Sequence, residues 1–301
     1  MEPIVVEVTR GEVVEARHVV HAVVVRDGRI ELAAGNPALV TFLRSSAKPV
    51  QALPVVQARP DLDDQQIALC CASHRATDEQ LAVVRRTLAD APATEDDLEC
   101  APEPAQILHN CSGKHAGFLA LCRAEGWPLE GYRSLGHPCQ QAVLREVAAL
   151  AELSPEAIGI GVDGCGVPTF ALTLEQAALV FGRLRKREGG ERVVSSMRAN
   201  PRLLLGPVSA DARLIERLDG WVAKGGAEGL FCASSADGLA LALKVEDGSF
   251  RPLATAVAHV LGRLGLDAGD LDDGLVRSSH GEPVGEQRVV PRSNLPIIDD
   301  R

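Results

Sequence analysis

Both ends of the chain are written in strand pattern and its middle in helix pattern, which restricts the fold more than any other feature of the 301 residues. Residues 4–32 run IVVEVTR and then EARHVVHAVVVRDGRIEL, β-branched residues in partial alternation with turn signals at Arg10-Gly11 and Asp27-Gly28. From about 46 to 185 the spacing turns helical, as in DEQLAVVRRTLADA and PCQQAVLREVAALAEL, while PEAIGIGVDG reads as a short strand between helices. Further helix is predicted around 172–199 and 208–219. Strands return in GLFCASSADGLALALKVEDG, with Ala236-Asp237-Gly238 as a hairpin turn. A last helix is predicted over roughly 251–265, and GEQRVVP in the tail reads as an edge strand. Strands at both termini with helices between them predict a mainly antiparallel sheet built from both ends and sandwiched by helices, an α+β class. A single domain over 1–301 is expected, because no linker-like stretch supports a split near 155.

Composition removes several functions. Aromatic residues make up 3% of the chain and the net charge is −10, which excludes a base-stacking or polyanion-binding surface. Apolar runs such as AVVV at 22–25 are far too short to cross a membrane. MEPIVVEVTRGEVVEAR has no basic segment followed by an apolar block, so no signal peptide is expected and a cytoplasmic location is. Eight cysteines in that compartment are read as buried thiols, metal ligands or catalytic groups rather than disulfides.

Five stretches can carry chemistry. In FLRSSAKPVQALP, residues 42–54, Ser45 and Lys48 are spaced to share a helix face. A serine is a poor nucleophile unless a base takes its proton, and lysine serves only when uncharged. Depressing its pKa of about 10.4 to neutrality means roughly 3 units, or about 4 kcal/mol, from desolvation and a nearby cation. Pro49 confines the pair to the very start of a helix, since its missing N–H loses no partner there. The plainer reading is a serine cap with a solvated lysine. In HNCSGKHAG, 109–117, Leu108 stands where a phosphate loop needs glycine, whereas Cys111, Lys114 and His115 can present metal donors from one helical turn; a buried cysteine at a helix start is the alternative. In DGCGVP, 163–168, Asp163 can hold an ammonium and Cys165 can join a metal site, or the stretch is only a glycine turn. In CCASH, 70–74, Ser73 and His74 are read as adjacent on a strand, pointing to opposite faces and so not bonded to each other. Lys244 lies on the alanine face of LALALKVEDG, where small neighbours can bury and neutralise it, unless it is an exposed edge lysine. KGGAEG at 224–229 reads as a tight loop before that hairpin.

In this order FLRSSAKP, ASH, NCSGKHAG, HPCQ, DGCGVPTFAL, KGGAEG and the lysine of the last hairpin resemble the asparaginase II family of the Rhizobium type, from about residue 4 to about 290. The resemblance implies a fold like that of serine β-lactamases and glutaminases, and hydrolysis of L-asparagine to L-aspartate and ammonia by a homodimer. It matches Ser45 with Lys48 and Ser73 with Lys244 as two serine–lysine pairs. It matches Cys111, Lys114 and Cys165 as zinc ligands, the lysine binding as a neutral amine. Asp163 matches a residue near the substrate ammonium and Cys232 a cysteine near the site. Arg44 suits the substrate carboxylate through a bidentate pair, and His115 stays a near-site residue. The chain departs from the family after ASH, where it reads RATDEQ, and in LGPVSADA at 205–212, which bears on substrate preference.

These readings converge on an amidohydrolase in which Ser45, with Lys48 as base, attacks a carboxamide, and Ser73 with Lys244 relays protons or exchanges roles with it. An acyl hydrolase for β-lactams or peptides would use SxxK alone, but no S-D-N or K-T-G element accompanies it. A zinc-stabilised amino-acid-binding protein without turnover is the reading from another class.

Overall fold

The computed structural model describes residues 2–101, 105–206, 209–267, 269–271 and 273–291. The N-terminal segment forms β1 (Ile4–Arg10), β2 (Val13–Arg26) and β3 (Arg29–Ala34), followed by a short β4 (Val40–Phe42). Later strands are β5 (Gly159–Val162), β6 (Pro168–Thr173), β7 (Val222–Gly226), β8 (Leu230–Ser234), β9 (Leu239–Val245), β10 (Leu275–Arg277) and β11 (Pro283–Val290). An antiparallel sheet runs β10-β11-β1-β2-β9-β8-β7, with β3 also on β2, and a smaller one runs β4-β6-β5. The termini meet directly: Val5 opposes Val290 and Val20 opposes Val245. The expected class of helices and antiparallel sheet from both ends is what the chain forms.

Helices fill the middle: α1 (Lys48–Gln51), α2 (Leu53–Ala58), α3 (Asp64–Cys70), α4 (Asp78–Asp90), α5 (Ser112–Glu125) and α6 (Pro138–Ala151). After them come α7 (Leu174–Arg183), α8 (Gly190–Ala199), α9 (Pro201–Leu204), α10 (Ala210–Arg217) and α11 (Leu253–Arg263). Leu239, Leu241 and Leu243 on one face of β9 and Ala240 and Ala242 on the other are all at most 2% exposed, so the sheet is covered on both sides. The alanines let α7 settle on their face, where Gly182 comes down on Ala240; α11 packs against β1, β9 and β11. Among the described residues no helix is long and apolar enough to cross a membrane.

Local chemistry explains the ends. Asp27 and Gly28 take positive φ values of 49° and 82°, the geometry of a two-residue hairpin turn between β2 and β3. Asp63 and Gln66 make a capping box at α3, as Thr77 and Gln80 do at α4. Helix α5 is buried from Ser112 to Cys122. A helix apolar all round belongs in a core, and this one brings Lys114 and His115 in with it.

Several expectations are corrected. CCASH does not end a strand: Cys70 closes α3 and the chain then extends irregularly through Ser73 and His74. KGGAEG is not wholly a loop, since Lys224–Gly226 belong to β7 and only the following residues turn. β11 lies between β10 and β1 rather than at an edge, and β9, bearing Lys244, is interior between β2 and β8. Pro207 and Val208 of the 205–212 segment lie outside the described residues.

Glycines give a test of the packing that positions α5. A Cβ at Gly113 would stand 2.5 Å from the Leu69 carbonyl oxygen of α3, whereas at Gly262, on exposed α11 surface, it would meet nothing within 4 Å. Gly113→Ala is expected to lower stability by about 1–3 kcal/mol through overpacking, and Gly262→Ala to raise it by roughly 0.5–1 kcal/mol, as read from urea midpoints.

Candidate active site

The turn carrying Ser45 hangs from the small sheet. Leu43 N–H donates to Phe170 O at 2.9 Å and Arg44 N–H to Thr169 Oγ1 at 3.1 Å. Arg44 has φ 49°, a left-handed value uncommon outside glycine, and it turns the chain from β4 into a 3₁₀ turn over Arg44–Ala47. Helix α1 opens with Lys48, and Pro49 falls in its first turn as expected. Among the described residues no hydrogen bond joins the Ser45 and Lys48 side chains, although they are three positions apart. Lys48 Nζ bonds instead to Ala72 O at 2.5 Å and Ser73 Oγ at 2.9 Å. Ser45 is half-buried and lines the adjoining cavity.

Lys48 is 0% exposed. Burial is the largest cause holding its pKa below the ordinary lysine value, and the Lys114 and Lys224 cations add to it against an opposing Cys111. The shift makes the amine easier to deprotonate, and only in its neutral form can it accept the hydroxyl proton of Ser73.

Ser73 is fixed by its neighbours: its N–H donates to Leu204 O at 2.7 Å, and the next N–H, of His74, to Asn110 O at 3.0 Å. His74 does not serve Ser73. Its Nδ1 accepts from the Ala76 N–H at 3.1 Å, and its Nε2 lies 2.8 Å from Ser112 Oγ. Ser112 donates its own proton to Ile107 O, so His74 is the donor in that contact and is held as one neutral tautomer. The expectation that Ser73 and His74 face apart agrees with these partners, although the backbone is not a strand.

Ser45 and Ser73 line a cavity of about 460 Å³ whose floor includes Asp211 and Lys224. Lys224 Nζ donates to Asp211 Oδ2 at 3.0 Å and to Gly225 O at 2.8 Å, and Asp211 Oδ1 accepts the Gly225 N–H at 3.0 Å. Both side chains are nearly inaccessible, at 1% and 4%. Removing one partner of such a pair leaves a buried unpaired charge and costs about 3–5 kcal/mol. Ser46 Oγ donates to Lys224 O at 2.9 Å, joining the serine turn to β7. A side chain at Gly226 would put its Cβ 2.7 Å from Leu43 O, so glycine is required for that approach.

Lys224, Asp211 and Ser46 were not among the expected site residues. KGGAEG read as a loop hid Lys224, and only the pairing of β7 with β8, Lys224 opposite Cys232, brings it here. Among the described residues no hydrogen bond joins Lys244 to Ser73: it pairs in register with His21 and Leu230, and its Nζ bonds to Val245 O of its own strand. The lysine bonded to Ser73 is Lys48, because α1 and the extended segment after α3 meet in the core. Cys232 lies in β8, fully buried, its thiol pushed up to about 12 by burial against a Ser46 hydrogen bond, so it is an inert neighbour.

Arg44 Nε donates to Asp163 Oδ1 at 2.8 Å, and the Gly164 N–H donates to the same oxygen at 2.8 Å. The two residues expected at opposite ends of an amino acid thus hold each other. Behind them Lys114 Nζ donates to Cys165 Sγ at 3.1 Å. Cys111 and Cys165 share a hydrogen bond that holds the Cys111 thiol well below its usual value, helped by Lys48 and Lys114, and pushes Cys165 up. Burial opposes the charge on Lys114, yet the Cys165 and Cys111 sulfurs outweigh it and hold its pKa above normal. Two sulfurs and an amine therefore converge in a space where none is more than 4% exposed. Their kind and convergence fit a soft metal ion once the lysine loses its proton. Among the described residues no three His, Cys, Asp or Glu side chains are placed to hold a metal without that lysine. His115 points away from this cluster. Its Nδ1 meets Tyr132 OH at 2.6 Å, and its Nε2 has no hydrogen-bond partner among the described residues.

Burial, and then the nearby Lys48, lower the His74 pKa to about 4. An unfolded histidine titrates near 6.5, so the unfolded chain takes the proton first and the fold loses stability as pH falls from about 6.5 to about 4. Ring NMR shifts of His74 are expected to remain those of a neutral imidazole at pH 5; an imidazolium signal there would contradict Nδ1 as the acceptor of the Ala76 N–H.

The sequence profile of L-asparaginase II matches residues 6–289. No curated protein matches the chain. The crystal structure of Mglu in its native form superposes with a TM-score of 0.50 at 14% identity, over 86% of this chain and 70% of that one. Its glutamate form gives 0.50 at 13% identity, over 84% and 62%. A β-lactamase from Mycobacterium bovis gives 0.41 at 14%, over 81% and 94%. At 14% identity the likeness to Mglu is one of fold. The profile match spans nearly all the strands and helices that build the site, and it supports an amidohydrolase activity: the chain belongs to the L-asparaginase II family.

Proposed function

We propose that the chain hydrolyses L-asparagine to L-aspartate and ammonia by serine–lysine catalysis. The observation carrying this reading is the buried Lys48 amine bonded to Ser73 Oγ in a cavity that Ser45 also lines, within an L-asparaginase II chain. The zwitterionic head of the substrate would open the Arg44–Asp163 pair, its carboxylate going to Arg44 and its ammonium to Asp163. Ser73 Oγ attacks the carboxamide carbon while its proton passes to Lys48 Nζ. The C–N bond then breaks, Lys48 returns the proton to the leaving nitrogen, and ammonia departs. Water, deprotonated by the same amine, cleaves the ester and restores Ser73. Ser45, across the cavity, relays protons or orients the amide, a reversal of the roles expected for the two serines.

Cys111, Cys165 and Lys114 would hold a zinc ion, whose positive charge would stiffen this wall of the site and orient substrate without serving as a strong Lewis acid. We further propose a homodimer. Eight free buried cysteines suit a reducing, cytoplasmic setting.

Ammonia release from L-asparagine tests the chemistry. Ser73→Ala and Lys48→Met are each expected to lower kcat by about 10³-fold or more, with the double variant little worse because the pair acts as a unit. Loss on Ser45→Ala with activity kept in Ser73→Ala would return the attack to Ser45; asparagine binding without ammonia from wild type would reject the enzyme. Because the Lys48 pKa is lowered, activity should fall as pH drops through it, the amine then carrying a proton.

Metal analysis tests the zinc site. A zinc-to-chain ratio near unity is expected, lost in Cys165→Ser, with protons released on rebinding as Lys114 and the thiols deprotonate. Full activity in zinc-free protein would leave the ion only a structural part.

A further inference from the structure

We infer that the preferred substrate of this site is a secondary amide whose leaving nitrogen carries an apolar group, rather than a free carboxamide. The inference rests on the amidohydrolase reading and deepens it. The cavity of about 460 Å³ beside Ser45 and Ser73 falls within the range of pockets for ligands larger than one small amino acid. Apart from the serines, Asn110, the Asp211–Lys224 pair and the Gly225–Ala227 backbone, its wall is the apolar set Leu205, Ala210, Phe231, Phe250, Leu253 and Ala254. A primary carboxamide has nothing to place against such a surface.

The charges at the cavity do not call for a second polar ligand. Asp211 and Lys224 satisfy each other and the Gly225 backbone, with both side chains almost wholly out of solvent. Inserting a further carboxylate or ammonium would have to break that buried pair, so an apolar group fits where a second charged residue does not. Direction follows from the head-group pair. Arg44 and Asp163 lie outside the cavity wall, while Ser45, next to Arg44 in the chain, lies on it; a substrate whose head is held by that pair would present its carbonyl at the serines and its nitrogen substituent to the apolar space. Phe250 is 61% exposed at this wall, and a bound substituent would cover it.

Chemically the step is unchanged. Ser73 Oγ bonds to the carbonyl carbon, the C–N bond breaks, and a primary amine leaves with the proton that Lys48 took from the serine; water then releases the acid. Burying an added hydrocarbon group in such a pocket changes discrimination by about tenfold or more.

The test compares L-asparagine with N4-benzyl-L-asparagine, following aspartate formation and direct binding, in wild type and Phe250→Ala. Preference for the benzyl amide by about tenfold in kcat/KM, reduced by Phe250→Ala, is the expected result. Equal or better turnover of asparagine, with a ratio that Phe250→Ala leaves alone, overturns the inference and leaves the asparaginase reading standing. If neither amide turns over, the amidohydrolase reading falls, and binding decides the pocket. Tighter binding of the benzyl amide that weakens in Phe250→Ala upholds an apolar subsite, and equal binding of both compounds overturns it.

Discussion

A lysine amine with no access to solvent is the constraint around which the candidate site is arranged. Lys48 cannot shed its charge into water, so its surroundings decide its protonation: a carbonyl and a serine hydroxyl within hydrogen-bond distance, two other buried lysines nearby, and a thiol. Each of those lysines has its own anionic or sulfur partner, Asp211 for Lys224 and Cys165 for Lys114. Three buried amines in one neighbourhood repel one another, and for Lys48 burial together with the two other lysines outweighs the opposing Cys111 sulfur and lowers its pKa.

Helix α5 makes this arrangement possible. Its first three turns are buried, so Lys114 enters the core as part of a helix that has no solvent face to offer. Gly113 allows α5 to approach Leu69, and that approach sets the position of the segment holding Ser73 and His74. The small sheet works from the other side. β4 leads through Leu43 into Arg44, the β5–β6 turn carries Asp163 and Cys165, and Thr169 of β6 anchors the Arg44 amide. Arg44, Asp163 and Cys165 thus hang from one sheet, and Cys111, Lys114, Lys48 and Ser73 from the helical core.

Legibility from residues alone was uneven, for identifiable reasons. The terminal strands were readable because Val and Ile alternate there over many positions, and Pro49 correctly confined Lys48 to a helix start. β6 and β7 were not: PTFALT is apolar through both faces, and VAKGG is glycine-rich with a lysine in its middle, patterns that periodicity cannot separate from loop or buried helix. Ser45 and Lys48 looked like a pair because they are three positions apart, yet the lysine amine is taken by Ala72 O and Ser73 Oγ, which local spacing does not reveal. Lys244 looked buried and functional from its alanine neighbours, but a strand's face reveals what kind of surface it meets, not which residue.

By itself, then, the order of residues determined the class of fold, the closure of the sheet by both termini and the short list of side chains with chemistry in them. Those follow from local periodicity and from functional groups that exist regardless of folding. Which serine receives the lysine, and which lysine is matched by which counter-charge, was decided only in three dimensions. Such pairings depend on distances of about 3 Å between segments far apart in the chain, and no local pattern encodes that register.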